Sequence, residues 1–109
     1  MYRILIVEDD TGIAEAVSEQ AKMWNFETHS VTNFRNVMAE FAEFDPHLVL
    51  MDIGLPFFNG YYWCGEIRKV SHVPVIFISS ASDNMNIVMA MNMGGDDFIA
   101  KPFDQTVLI

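Results

Sequence analysis

The chain has 109 residues, of which 51% are hydrophobic, and its 15 acidic and 6 basic residues give a formal charge of −9 at pH 7. This length is typical of one domain with a single core, and the apolar fraction argues against a disordered segment. The acidic excess argues against direct binding of nucleic acid by this chain, because phosphate contacts need a basic face.

The cysteine content and the apolar runs indicate the compartment. Cys64 is the only cysteine, so it forms no internal disulfide and is interpreted as a small, partly buried hydrophobe in a reducing environment. No apolar run is long enough to cross a bilayer, and the N-terminal segment turns acidic at Glu8, unlike a leader peptide. We therefore expect a cytoplasmic protein.

The first half of the chain alternates between short apolar runs and segments of helical period. Arg3–Val7 predicts a strand buried on both faces, and Thr11 is a candidate cap for the helix that follows. Phe26–Val31 alternates like an edge strand. Thr32 or Asn33 is expected to cap the second helix, which an Asp-Pro pair ends.

The second half of the chain repeats the alternation. His47–Asp52 and Val73–Ser79 predict two further buried strands, separated by a loop rich in glycine, proline and asparagine and by a helix at Tyr61–Val70. Asn84–Gly94 predicts another helix closed by glycine, and Asp97–Ala100 predicts a short fifth strand.

This alternation predicts an α/β domain over residues 1–109, with a doubly wound five-stranded parallel sheet. The final segment, FDQTVLI, has the pattern of a helix start but is too short for a stable helix by itself, so a truncated fifth helix is expected. In doubly wound sheets the ligand site lies outside the carboxyl ends of the strands. The residues that follow each strand are therefore the candidate site.

Polar side chains follow four of the five predicted strands. They are Glu8, Asp9 and Asp10 after the first strand, Asp52 at the end of the third, Ser79 at the end of the fourth and Lys101 after the fifth. Each alone is interpreted more simply as a cap, a turn residue or a solvated surface charge. Together they would converge at one sheet edge, where neighbouring carboxylates repel each other unless a hard cation such as Mg²⁺ lies between them.

Such a cluster fits phosphoryl chemistry. Asp52 can act as a nucleophile that forms an aspartyl phosphate, while Lys101 and Ser79 stabilise charge on the phosphoryl oxygens. A hydrolase with an aspartyl-phosphate intermediate is an alternative, but it needs a second acid at position 54, where the chain has Gly54. A flavin-binding protein is a third reading, but the segment VEDDTGI would repel a phosphate.

The segments ILIVEDD, LVLMDIGLPFFNG, VPVIFIS and GGDDFIAKPF resemble, in order and spacing, the receiver domain of bacterial two-component response regulators. The resemblance covers essentially the whole chain and implies the strand order 2-1-3-4-5. It implies a phosphoacceptor, not an independent enzyme, that takes part in its own phosphotransfer and dephosphorylation. The phosphoryl donor would be a membrane sensor histidine kinase.

The resemblance assigns the phosphoacceptor and the metal ligands. Asp52 matches the phosphoacceptor, and Glu8 and Asp9 match the acidic pair that positions Mg²⁺ or Mn²⁺. Gly54 matches the residue whose backbone carbonyl binds the metal. Asp10 lies one position beyond the pair and is a poorer candidate.

The resemblance also assigns the residues that respond to the phosphoryl group. Ser79 matches the switch hydroxyl, and Phe98 matches the switch aromatic, without the hydroxyl of the tyrosine often found there. Lys101 matches the lysine that binds the phosphoryl group, and its bond to Pro102 is expected to be cis.

The segment NGYYWCGEIRKVSHVPVIFISS further resembles a branch of winged-helix regulators in Gram-positive bacteria that respond to antimicrobial peptides or bacitracin-like antibiotics. This likeness implies a DNA-binding domain C-terminal to residues 1–109. It also implies that phosphorylation switches homodimerisation through the face formed by the fourth helix, fifth strand and fifth helix.

Overall fold

The structure is a computed structural model that describes residues 2–78 and the backbone of residues 79 and 97–100. Its strands are β1 Arg3–Val7, β2 Glu27–Ser30, β3 Leu48–Asp52, β4 Val75–Ser79 and β5 Asp97–Ala100. Its helices are α1 Thr11–Met23, α2 Val37–Phe44 and α3 Gly60–Arg68. The expected helix at Asn84–Gly94, the start of a fifth helix, and the residues Lys101 and Pro102 lie outside the described residues.

All five strands are parallel and lie in the order β2-β1-β3-β4-β5, which confirms the doubly wound topology expected from the sequence. Val7 of β1 pairs with Met51 of β3. The next residue of each chain segment, Glu8 and Asp52, therefore lies at the carboxyl edge of the sheet. This register brings the first and third strand ends together.

The sheet is buried on both faces, as the unbroken apolar runs predict. Ile4 and Ile6 of β1 pack on one face in a cluster with the buried residues of α1. Leu5 and Val7 point to the other face, into a larger cluster with buried residues of α2 and α3. Because successive strand residues alternate between these two clusters, β1 and β3 are fixed from both sides.

Each described helix begins at an Asx cap, and two of the expected caps are wrong. Asp10, not Thr11, caps α1 by accepting a hydrogen bond from the backbone N–H of Ile13. Asn36, not Thr32 or Asn33, caps α2, and Asn59 caps α3. The Asp10 side chain reaches the N–H three residues on because its backbone is extended, whereas Thr11 already lies inside the helix and cannot do so.

The remaining boundaries differ from expectation by at most two residues. β2, β3 and β4 begin one or two residues later than the sequence predicts, and α3 begins one earlier and ends two earlier. Asp45 ends α2 with φ 50° and Pro46 follows, as predicted. Within the described part of the chain, no helix has both the length and the apolar character needed to cross a membrane.

A half-buried carboxylate organises the connection between β2 and α2. Glu40 accepts hydrogen bonds from the backbone N–H groups of Thr32 and Asn33 and pairs with His29 Nε2 at 2.7 Å. Burial raises the pKa of Glu40, but hydrogen bonds from Asn33, His29 and Thr32 outweigh that effect and hold the pKa below its ordinary value. The negative charge on this side chain therefore stabilises the fold.

Replacing Glu40 by glutamine is expected to lower the free energy of unfolding by about 1–3 kcal/mol at pH 7, because charge-assisted hydrogen bonds are lost. A carboxyl whose pKa is lower in the folded state contributes stability above its unfolded pKa and loses it as the pH falls through the folded value. The deficit should therefore shrink below about pH 4. Urea unfolding across this pH range measures it, with the exposed Glu43→Gln as matched control. A constant deficit at all pH values would contradict the assignment.

Candidate functional site

Three carboxylates converge at the carboxyl edge of the sheet. Glu8, Asp9 and Asp52 each present one oxygen, and these oxygens all lie within 4.8 Å of one another. Glu8 is 3% and Asp52 6% exposed, whereas Asp9 is exposed to solvent. Buried carboxylates so close together repel strongly, and a hard divalent cation offsets the repulsion. The donor set, all oxygen and partly open to water, fits Mg²⁺.

The acidic run after β1 divides between two structural roles. Glu8 and Asp9 belong to the carboxylate cluster, while the Asp10 Oδ1 accepts the Ile13 N–H at 3.2 Å and starts α1. The sequence reading that ranked Asp10 below the other two acids agrees with this geometry. The cluster Glu8–Asp9–Asp52 is called the acid triad below.

The connection after β3 is built around Asp52. The Gly54 N–H lies 3.4 Å from the Asp52 Oδ1, a long hydrogen bond that orients the carboxylate. The Ile53 N–H donates a hydrogen bond to the Ile78 carbonyl at 3.3 Å, and the Ile53 carbonyl accepts one from the Gly60 N–H at 3.0 Å. The loop therefore returns to the strand end where it began. A side chain at Gly54 would enter open space, so this glycine is not required by packing.

Gly60 is a site residue that the sequence interpretation missed. A Cβ atom placed on it would overlap the backbone carbonyl oxygen of Asp52 and approach the Met51 Cγ to 3.0 Å. The first residue of α3 therefore packs directly against the backbone of Asp52. The Asn-Gly pair at the helix start was the available signal, but it indicates a turn and not what the glycine touches.

The structure places only the backbone of two further predicted site residues. Ser79 ends β4 and pairs with Ala100 of β5, one residue beyond the pairing of Asp52 with Ile78. This puts Ser79 at the same edge of the sheet as the acid triad. Phe98 pairs with Phe77 inside the sheet. The side chains of Ser79 and Phe98 lie outside the description, as do Lys101 and Pro102, so their roles stay predictions.

Fold and site together define a doubly wound α/β protein that gathers carboxylates where two parallel strands end. The family model "Response regulator receiver domain" matches residues 4–109, and the chain belongs to this family. The prediction of a receiver domain of two-component response regulators is thus confirmed. Receiver domains of this family bind Mg²⁺ at an acidic pocket, and the acid triad is a cluster that can hold a metal ion.

Curated relatives and solved structures agree with this membership. The chain is 48% identical over 109 residues to the transcriptional regulatory protein YvcP of Bacillus subtilis, covering 100% of this chain and 46% of YvcP. It is 42% identical over 109 residues to the sensory transduction protein BceR of Halalkalibacterium halodurans, covering 100% and 47%. The chain thus spans about half the length of these relatives.

A solved structure is similar over nearly the whole chain. It is the N-terminal domain of the nisin resistance regulator NsrR, a lantibiotic response regulator, with 51% identity and a TM-score of 0.90. The match covers 99% of this chain and 92% of that one. The sequence likeness to a branch of antibiotic-responsive regulators is in line with this neighbour.

Proposed function

We propose that this chain accepts a phosphoryl group onto Asp52 from the phosphohistidine of a sensor histidine kinase. The observation that carries the proposal is the position of Asp52, buried at the end of β3, with oxygens of Glu8 and Asp9 within 4.8 Å. A carboxylate at this position can attack phosphorus in line with the leaving group.

In the transfer, an Asp52 carboxylate oxygen forms a bond to phosphorus while the phosphorus–nitrogen bond of the phosphohistidine breaks. The bonding pair returns to the imidazole, which takes up a proton, and Asp52 becomes an acyl phosphate. The Gly54 N–H fixes the orientation of the carboxylate through Oδ1. Mg²⁺ or Mn²⁺, held by Glu8, Asp9, Asp52 and the Gly54 carbonyl, would supply positive charge to the phosphoryl oxygens.

The residues beyond β4 complete the proposed site. Lys101 would bind a phosphoryl oxygen, with its orientation set by a cis bond to Pro102. Ser79 would donate its hydroxyl to the phosphoryl group, and Phe98 would change its position in response. The backbone position of Ser79 at the carboxyl edge supports this assignment.

The curated relatives are about twice as long as this chain. The whole protein would be a cytoplasmic transcription regulator. Residues 1–109 would be its receiver domain, and a C-terminal domain would bind DNA. Phosphorylation would switch homodimerisation through the fourth helix, the fifth strand and the fifth helix. The likeness to NsrR supports a stimulus in the class of antimicrobial peptides.

Incubation with acetyl phosphate and Mg²⁺ is expected to add one phosphate-sized mass to the wild-type chain. The gain should disappear in Asp52→Asn and after removal of Mg²⁺ by a chelator, because the nucleophile or the compensating charge is then absent. Intact-mass spectrometry measures it. Asp10→Asn is the matched control, since Asp10 is the neighbouring acid outside the acid triad, and it should keep the gain. An unmodified wild type, or a modified Asp52→Asn, would contradict the proposal.

A further inference from the structure

Three exposed aromatic side chains lie together on the connection between β3 and α3 and on the first turn of α3. Phe57 is 62% exposed, and Phe58 and Tyr62 are each 42% exposed. We call this set the aromatic rim. Scattered apolar side chains on a surface are ordinary, but adjacent exposed aromatics are characteristic of the core of a protein–protein interface.

The aromatic rim is preorganised. Phe58 and Tyr62 stack with ring centroids 4.4 Å apart. Both rings also pack edge-on against Trp63, at 5.5 Å and 4.9 Å, and Trp63 is buried in the core. Because the rings are already held by the core, little side-chain freedom is lost when a partner covers them.

Phe57 is exposed in a backbone conformation that its side chain disfavours. Its φ is 67°, in the left-handed region that bulky residues rarely adopt. The ring lies under the guanidinium of Arg35, with Cζ 4.3 Å from the centroid, and 62% of the residue still faces water. A strained residue that buries so little of itself adds little to the fold, so the position is better explained by recognition.

The aromatic rim adjoins the route to Asp52. The connection that carries Phe57 and Phe58 leaves the sheet directly after Asp52 and returns at Gly60, against the carbonyl of Asp52. Asp52 is only 6% exposed and opens at the carboxyl edge of the sheet. A protein that brings a phosphohistidine to this carboxylate must approach at this edge, beside the connection that carries the rim.

We propose that the aromatic rim is a docking surface for the protein phosphodonor, the sensor histidine kinase; this rests on the proposed function. The donor face would be apolar opposite Phe58 and Tyr62. The donor would place an acidic group opposite Arg35. This arginine lies at the rim and is positively charged, although the chain as a whole has a net charge of −9.

The test compares a protein donor with a small one. Autophosphorylated sensor histidine kinases of the source organism are screened, and the one that transfers fastest to the wild-type chain serves as the protein donor. Acetyl phosphate serves as the small donor. The variants are Phe57→Ala and Tyr62→Ala, with Phe57→Asn as a second variant at position 57, since asparagine accepts the left-handed backbone. The control is Trp24→Ala, an exposed aromatic at the far end of α1.

Each rim variant is expected to lower kcat/KM for the kinase by about tenfold, mainly through a higher KM, as expected for an aromatic contact in an interface. The rim variants should keep the wild-type rate of phosphorylation by acetyl phosphate, and Phe57→Asn should keep the wild-type thermal midpoint. Trp24→Ala should keep wild-type rates with both donors. Wild-type kinetics with the kinase in the rim variants would overturn the proposal, as would an equal loss with acetyl phosphate. A wild-type chain that acetyl phosphate leaves unmodified would instead overturn the proposed function.

Discussion

Replacing Gly60 by alanine is expected to lower the free energy of unfolding by about 3 kcal/mol and to slow phosphorylation by acetyl phosphate sharply. The new Cβ would overlap the carbonyl oxygen of Asp52 and crowd the carbonyl carbon and the Met51 Cγ, each 3.0 Å away. Two of these three atoms belong to the backbone of a central strand, which is packed on both faces and cannot yield cheaply. Relief must come from displacing α3 or the end of β3, and either change moves Asp52.

Urea unfolding and the rate of mass gain with acetyl phosphate measure these two effects. Gly65→Ala is a matched control on the same helix, because a Cβ at Gly65 meets no atom within 4 Å. Alanine there is expected to raise stability by up to about 1 kcal/mol through helix propensity alone. If Gly60→Ala were as stable and as reactive as Gly65→Ala, the close packing of α3 against Asp52 would be refuted.

Neutralising one member of the acid triad is expected to change the stability of the fold in opposite directions with and without bound metal. In a chelator, Asp52→Asn should be more stable than wild type by about 1–2 kcal/mol, because a buried like-charge repulsion is removed. Adding Mg²⁺ at about 100 times its dissociation constant should stabilise the wild type by about 2.7 kcal/mol and the variant much less. The wild type should therefore gain more than the variant from the same ion.

Thermal and urea unfolding at matched ionic strength measure this crossover. Asp10→Asn removes a charge at a neighbouring position and keeps the helix cap, since asparagine caps as well as aspartate. It should respond to Mg²⁺ like the wild type. If Mg²⁺ did not change the stability of the wild type, the triad would not hold the ion. The same would follow if Asp10→Asn lost the response to Mg²⁺ as fully as Asp52→Asn.

The architecture and the triad were predictable because both depend on one-dimensional patterns. Continuous apolar runs such as Arg3–Val7 can be buried on both faces only in a covered parallel sheet, and the rule for strand ends then places Glu8 and Asp52 together. The structure adds the register that makes them neighbours. Apart from the start of α2, which lies three or four residues later than expected, strand and helix limits shifted by only one or two residues, as expected where ends are set by single hydrogen bonds.

The caps and the packing at the site were not predictable from the pattern. Whether Asp10 or Thr11 caps α1 depends on which residue keeps an extended backbone in the connection between β1 and α1. The need for glycine at position 60 depends on the carbonyl of Asp52, and the exposure of Phe57 depends on a backbone conformation that a sequence does not display. These features depend on local backbone conformation and on contacts between segments, and the hydrophobic periodicity of a sequence carries no information about either.

The division of the acidic run after β1 determines which substitutions this segment can tolerate. At position 10 the fold needs a short side chain with an acceptor oxygen, so serine, threonine or asparagine would serve where Asp10 stands. At positions 8 and 9 only a carboxylate supplies both charge and ligand to a cation. A chain with the sequence Glu-Asp-Ser at positions 8–10 would keep the helix and the two carboxylates that bind the cation. It would lose only one unit of its −9 charge.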